Sequence, residues 1–400
     1  MKKNTLIKNK EVISEQSWSW WPLLPLYPYG RRRTVFKELV PNQIWGFEQL
    51  QGIYYVAVPI RLTVVKVDGG LMLFNPLPPT KELMKDLSQL ENDHGDVLDI
   101  VLPTASGLEH KISLPALSRA FPKATLWVCP GQWSFPLGLP LEFIGIPRKR
   151  TKILFEEGLP HEKSCEWFSL GPLDIGLGRF QEVSCYHKRS KSLLVTDALV
   201  GIDSRPPELF DLDPTPLLFH SRESGKDLLV DNYQSRVKGW RRIVLFASFL
   251  RPAKLSIPSL SDVFRNAFKP DLRNPKAHFG IYPFSWEQGW EDSTKDLIGK
   301  NAPLVQIAPV LERLVFPRAK QAYVDWLDRV ATSNGMRWLI SSHFNAPLNF
   351  SCNDASRLKR KVINSNWAKD SGNWNFLSWL DKKLIQFGVV PKNPLDSFND

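Results

Sequence analysis

Apolar and polar positions along the chain change period several times, and each change marks an element. From Gln43 β-branched and aromatic residues dominate, and residues 53–58 and 61–67 read as strands. Asp68-Gly69-Gly70 turns the second of them into a further strand at 71–74, a good hairpin signal. The period then lengthens: Leu83, Leu87 and Leu90 share one side of a helix, with Thr80 placed to cap it and Glu82 close behind. The apolar run Val97–Leu102 is the next strand, followed by a loop to His110, a helix opening at Leu114-Pro115, and a short strand at 125–129.

The second half repeats the alternation after an interruption. Residues 183–195 read as a hairpin with Lys188 and Arg189 at its tip, and its second strand ends on Asp197-Ala198-Leu199. Residues 200–300 hold Pro206, Pro207, Pro214 and Pro216, a helix around 236–250, and an aromatic stretch to Trp290; they are expected to be a long insertion rather than a separate domain. Ala319, Ala322, Tyr323, Trp326, Leu327 and Val330 form an amphipathic helix. A strand at 336–340 then runs into Ser341-Ser342-His343. In the tail, Phe376, Leu377, Leu380, Leu384 and Phe387 share a helical face. Ahead of all this stands a basic arm and the stretch Trp18-Ser-Trp-Trp-Pro-Leu-Leu-Pro-Leu-Tyr-Pro-Tyr-Gly30, where Pro22, Pro25 and Pro28 exclude a regular helix. The division expected is an arm at 1–40, a body at 41–350 with its insertion at about 200–300, and a C-terminal helical extension at 351–400.

Composition narrows the class. Of 400 residues, 43% are hydrophobic, yet no run approaches the roughly 18–20 apolar residues a membrane span needs. Cys129, Cys165, Cys185 and Cys352 are scattered without C-x-x-C pairing, which fits a reducing, cytoplasmic setting with buried thiols. The net charge of +11 is clustered, as in Arg31-Arg32-Arg33 and Arg148-Lys149-Arg150. No nucleic-acid motif accompanies these clusters, so an anionic membrane surface or a protein complex is the better candidate partner. There is no G-x-S-x-G and no phosphate-cradling glycine loop. His94, His161 and His187 are expected in solvent.

The loop Thr104-Ala105-Ser106-Gly107-Leu108-Glu109-His110 resembles the metal-binding loop of the metallo-β-lactamase superfamily, Thr-His-x-His-x-Asp-His. Thr196-Asp197-Ala198-Leu199 and Ser341-Ser342-His343 are similar to two further ligand-bearing strand ends of that superfamily. The resemblance implies an α/β fold, an αββα sandwich, with an N-terminal extension, a long central insertion and a C-terminal helical extension. It also implies two metal sites, of which the first is gone: Ala105 and Gly107 replace two histidines, and Gly178 lies about where the third would be. The second set remains as Glu109, His110, Asp197 and His343. Glu109 is one methylene longer than the usual aspartate and could ligate or act as a base beside the ion. One divalent ion, zinc, iron or manganese, would suit two imidazoles and one or two carboxylates. The plain alternative is that His110 bonds backbone at a helix start, Asp197 caps a turn, and His343 is a satisfied polar residue at a strand end.

The run Trp21-Pro-Leu-Leu-Pro-Leu-Tyr-Pro-Tyr-Gly-Arg-Arg-Arg33, with Cys129-Pro-Gly-Gln-Trp-Ser-Phe135 and Pro283-Phe-Ser-Trp-Glu-Gln-Gly289, looks like a domain-of-unknown-function family of cyanobacteria and plastids. That resemblance implies a divergent metallo-β-lactamase-like branch in a cytosolic or stromal setting and supplies no activity. The function expected is a non-catalytic binding or accessory factor; the alternative is a mononuclear metal-dependent hydrolase of an ester, thioester or phosphoester.

Overall fold

Alternation along the strands sorts the side chains into layers. In Val97–Leu102, Val101 enters one core while Ile100 and Leu102 enter another on the opposite face. The structure, a computed structural model, describes residues 26–393 except 133–138, 177, 266, 268, 273–274, 300–301, 366 and 368. Trp18, Trp20, Trp21, Trp133 and Phe135 therefore lie outside the described residues.

The first sheet begins antiparallel with Leu26–Tyr27, Val35–Val40, Ile44–Ile53 and Val56–Val67. It continues through Gly70–Phe74 into a parallel half made of Val97–Leu102, Thr125–Val128 and Thr151–Ile153. The second sheet runs in the order Leu348–Asn349, Trp338–Ser341, Ser192–Val195, Arg179–His187 and Cys165–Asp174. Val65, Met72, Val101 and Trp127 of the first sheet meet Val183, Cys185, Leu194 and Ile340 of the second in a shared core. On the outer face of the first sheet, Leu73 and Ile100 pack with Leu83, Leu87, Leu114 and Leu117 of its helices. On the outer face of the second, Leu193, Val195 and Leu339 pack with Tyr323, Trp326 and Val330. Helix, sheet, sheet, helix: the αββα sandwich is present.

The helix Lys81–His94 starts as expected, Thr80 Oγ1 accepting from Leu83 N at 3.1 Å. Within the strand expected at 53–58, residues 54 and 55 form a hairpin turn instead, with Ile53 ending one strand and Val56 opening the next. Tyr54 and Tyr55 have φ of 50° and 64° and join Ile44–Ile53 to Val56–Val67. Two tyrosines tolerate this left-handed geometry because packing fixes them: Tyr55 stacks on Phe219 at 4.1 Å. That contact belongs to a fourth core, in which Leu50, Tyr55 and Ala57 at the sheet's tip meet Leu217, Trp240, Ile243 and Val244. Gly239 is required there, since a Cβ would stand 1.9 Å from the Leu217 carbonyl oxygen. The helices Thr215–Ser221 and Tyr233–Phe249 thus touch backbone to backbone.

The tail helix, Asn375–Gln386, is rotated from its expected face. Leu377, Ser378 and Asp381 point inward, while Phe387 is exposed. Charge overrides hydrophobicity here: buried Asp381 receives Arg313 Nη1 at 2.5 Å and Arg318 Nη2 at 2.7 Å.

The histidines also depart from expectation. His161 is half-buried against Asp99 at 2.8 Å, and His94 stacks on Trp45 at 4.7 Å. His187 is buried, with Nδ1 2.8 Å from Ser190 Oγ; burial and then Arg189 push it down to about 4. Burial likewise takes His220 down to about 3 and His278 to about 4. These three side chains therefore bind fewer protons folded than unfolded between pH 4 and 6.5, so their contribution to stability is full above that window and falls with acidification. In urea titrations from pH 7 to 4, His187→Gln should lose roughly 3 kcal/mol less stability than the parent. Equal losses would assign the pH dependence elsewhere.

Candidate metal centre

Three strands, each with a parallel partner in its own sheet, deliver the candidate residues at their carboxyl ends. Val97–Leu102 leads to Glu109 and His110, Ser192–Val195 to Asp197, and Trp338–Ser341 to His343. The first strand belongs to one sheet and the other two to the second, so the site closes across the mouth of the sandwich.

The side chains converge. His343 Nε2 lies 3.0 Å from Asp197 Oδ1 and 3.4 Å from Glu109 Oε1. His110 Nε2 is 4.0 Å from the same Glu109 oxygen. One ligand atom from each of Glu109, His110 and His343 falls within a span of 4.8 Å, with Asp197 beside them. Glu109, Asp197 and His343 keep 22%, 22% and 17% of their side-chain surface exposed, whereas His110 is fully buried.

The state of His110 follows from its partners. Nδ1 is 3.0 Å from the Pro76 carbonyl oxygen, which can only accept, so Nδ1 carries the hydrogen. Burial lowers its pKa, the ring is neutral, and Nε2 presents its lone pair to the Ser342 hydroxyl at 2.9 Å. A ring fixed this way is the form that binds a cation. Burial alone would depress His343 too, but Asp197 and Glu109 outweigh it and hold the imidazolium up to about 10. Burial would raise Glu109; the His343 hydrogen bond and the neighbouring rings hold it down to about 2.

The half of the loop without histidines is closed. Ala105 is buried, and a Cβ on Gly107 would come within 2.5 Å of Thr104 Cγ2. Thr104 is itself fixed, its Oγ1 accepting from Gly107 N at 3.0 Å and Ser106 N at 3.2 Å. Lys111 turns inward and donates to the Ala105 carbonyl at 2.6 Å; burial pushes it down to about 8. Gly178 sits in the turn between Cys165–Asp174 and Arg179–His187, its carbonyl accepting from Ile175 N.

Sequence reasoning missed the residues that hold the loops. Glu182 is buried on Arg179–His187, and its carboxylate accepts from Thr196 N at 2.7 Å and from Asp197 N and Ala198 N at 2.9 Å. Arg61, on Val56–Val67, donates to the carbonyls of Ser341 and, at 2.6 Å, of Phe344, one on each side of the Ser342-His343 pair. Its other partner is Glu48 at 2.6 Å, and both are buried. For Arg61 the signal available in the sequence was a charged residue amid the mostly apolar strand Val56–Val67.

The structure is thus a sandwich of two sheets flanked by helices, with a His/Glu group at the carboxyl ends of its strands. The chain belongs to the family described as a domain of unknown function, DUF4336, which matches residues 41–360. Among solved structures it is similar to a metallo-β-lactamase from Pontibacter korlensis, at 10% identity over 83% of this chain and 100% of that one, with a TM-score of 0.38. It is also similar to a metal-soaked Flv1 flavodiiron core from Synechocystis sp. PCC6803, at 11% identity over 90% and 70% of the two chains, with a TM-score of 0.42. No curated protein matches it in sequence.

Arg61→Met should destabilise the fold by about 3–5 kcal/mol, because Glu48 is left buried without its main partner. Arg61→Met combined with Glu48→Met should recover most of that loss in urea titrations. It should not recover the placement of His343, whose flanking carbonyls still lack their donor. Native-like His343 Nε2–Asp197 proximity in a crystal structure of the double variant would refute this role for Arg61.

Proposed function

We propose that this chain is a metalloprotein holding one divalent cation through Glu109, His110, Asp197 and His343. The observation that carries the reading is the Pro76–His110 hydrogen bond, which leaves a neutral imidazole whose Nε2, bonded to the Ser342 hydroxyl, lies 4.0 Å from Glu109 and is grouped with His343. Two nitrogens with one or two carboxylate oxygens suit zinc, iron or manganese. Ser342 is the group that must release His110 Nε2 for this purpose.

The partial exposure of Glu109, Asp197 and His343 supports use on a solvent-borne partner rather than a purely structural clip. Bound there, the ion would supply Lewis acidity for hydrolysis of an ester, thioester or phosphoester. Glu109 lies where it can either ligate or hold a proton beside the site. The accessory reading keeps the same ion and drops the turnover. Its ground is the first half of the loop, where Gly107 has no room for a side chain and Lys111 turns inward.

Elemental analysis after dialysis against zinc should give close to one ion per chain. His110→Ala and His343→Ala should each weaken binding by about 100-fold or more, with little change in far-UV circular dichroism. Ser342→Ala should tighten binding by several-fold, since the competing hydrogen bond of about 1 kcal/mol is gone. Unchanged zinc content in both histidine variants would refute the site.

A further inference from the structure

The motif at 27–33, unused by the metal centre, forms one wall of a separate cavity of about 560 Å³. Leu212, Asp213, Pro214, Thr215 and Lys276 form the other wall, and no residue is shared with the metal centre. The volume lies in the range of small-molecule sites, roughly 300–1,000 Å³.

The three consecutive arginines divide their work. Arg32 turns inward, donating to the Leu50 carbonyl and to Gln51 Oε1, both at 2.9 Å. That anchor leaves its neighbours Arg31 and Arg33 lining the cavity. Arg33 is steadied by Glu82 at 2.8 Å, while Arg31 stands 3.9 Å from the same carboxylate. Asp213 is already engaged, accepting from the Tyr27 hydroxyl and from Thr215 N. Arg31, Arg33 and Lys276 thus face two carboxylates, Glu82 and Asp213, and the lining keeps an excess of positive charge.

The cavity also offers a braced ring. Half-buried Tyr29 meets Tyr27 edge-on at 5.2 Å and Tyr55 at 4.9 Å, so its orientation is fixed before any ligand arrives. A braced tyrosine ring lining the cavity beside guanidinium and ammonium groups suits a flat ring carrying an anion of phosphate type.

We propose that this cavity binds a small phosphorylated compound with a planar ring, of mononucleotide size, its phosphate at Arg31 and Lys276 and its ring against Tyr29. The test is isothermal titration calorimetry on the full chain with adenosine 5′-monophosphate as probe, and adenosine and ribose 5-phosphate as its two halves. The nucleotide should bind at least about tenfold more tightly than either half. Arg31→Glu with Lys276→Glu, both at exposed positions, should weaken it by about tenfold or more while leaving zinc content unchanged. Tyr29→Leu should weaken the nucleotide and leave ribose 5-phosphate unaffected. No binding of the nucleotide at millimolar concentration, equal affinity for ribose 5-phosphate, or equal affinity in the charge-reversed variant would each overturn the proposal.

Discussion

A single guanidinium crosses from one sheet to the other. Arg61 is rooted in the first sheet by Glu48 and reaches the carbonyls of Ser341 and Phe344 in the second. Those carbonyls bracket Ser342 and His343, and Ile60 adds a backbone bridge to His343. The register between the two halves of the candidate centre is therefore set by buried hydrogen bonds, which the interior makes strong when satisfied and costly when broken. Glu182 does the same for the Asp197 loop with three backbone donors. Neither residue offers an atom to the His/Glu group itself.

The centre is built with a charge balance of its own. An imidazolium at His343 sits between two carboxylates, and a neutral His110 completes the group. A cation bound as proposed would replace a proton and a hydroxyl contact rather than fill an unbalanced hole. The first half of the loop is held differently, by an inward lysine against a backbone carbonyl and by a glycine with no room for a side chain. The asymmetry between the two halves is thus part of the packing, not a matter of ligand identity alone.

Much of the sandwich was legible in period and punctuation. Thr80 as a cap, Asp68-Gly69-Gly70 as a turn, and the helix Lys320–Ala331 follow from local chemistry that tertiary contacts reinforce. The convergence of Glu109, His110, Asp197 and His343 was legible only through resemblance, because three segments 87 and 146 positions apart carry no local signal of contact. The Tyr54-Tyr55 turn was not legible, since tyrosine favours strands and the left-handed backbone is held by Phe219, which lies far along the chain. The tail helix misled for a related reason: its inward face is chosen by Arg313 and Arg318, not by its apolar residues. His187 looked solvated among charges, yet its ring is buried and bonded to Ser190.

X-ray absorption at the zinc edge tests the account most directly, because it reports which atoms surround a bound ion. The arrangement described predicts a shell of two imidazole nitrogens with carboxylate oxygens at roughly 2.0–2.2 Å and no sulfur. A shell of oxygens alone, or one containing thiolate from any of the four cysteines, would contradict it.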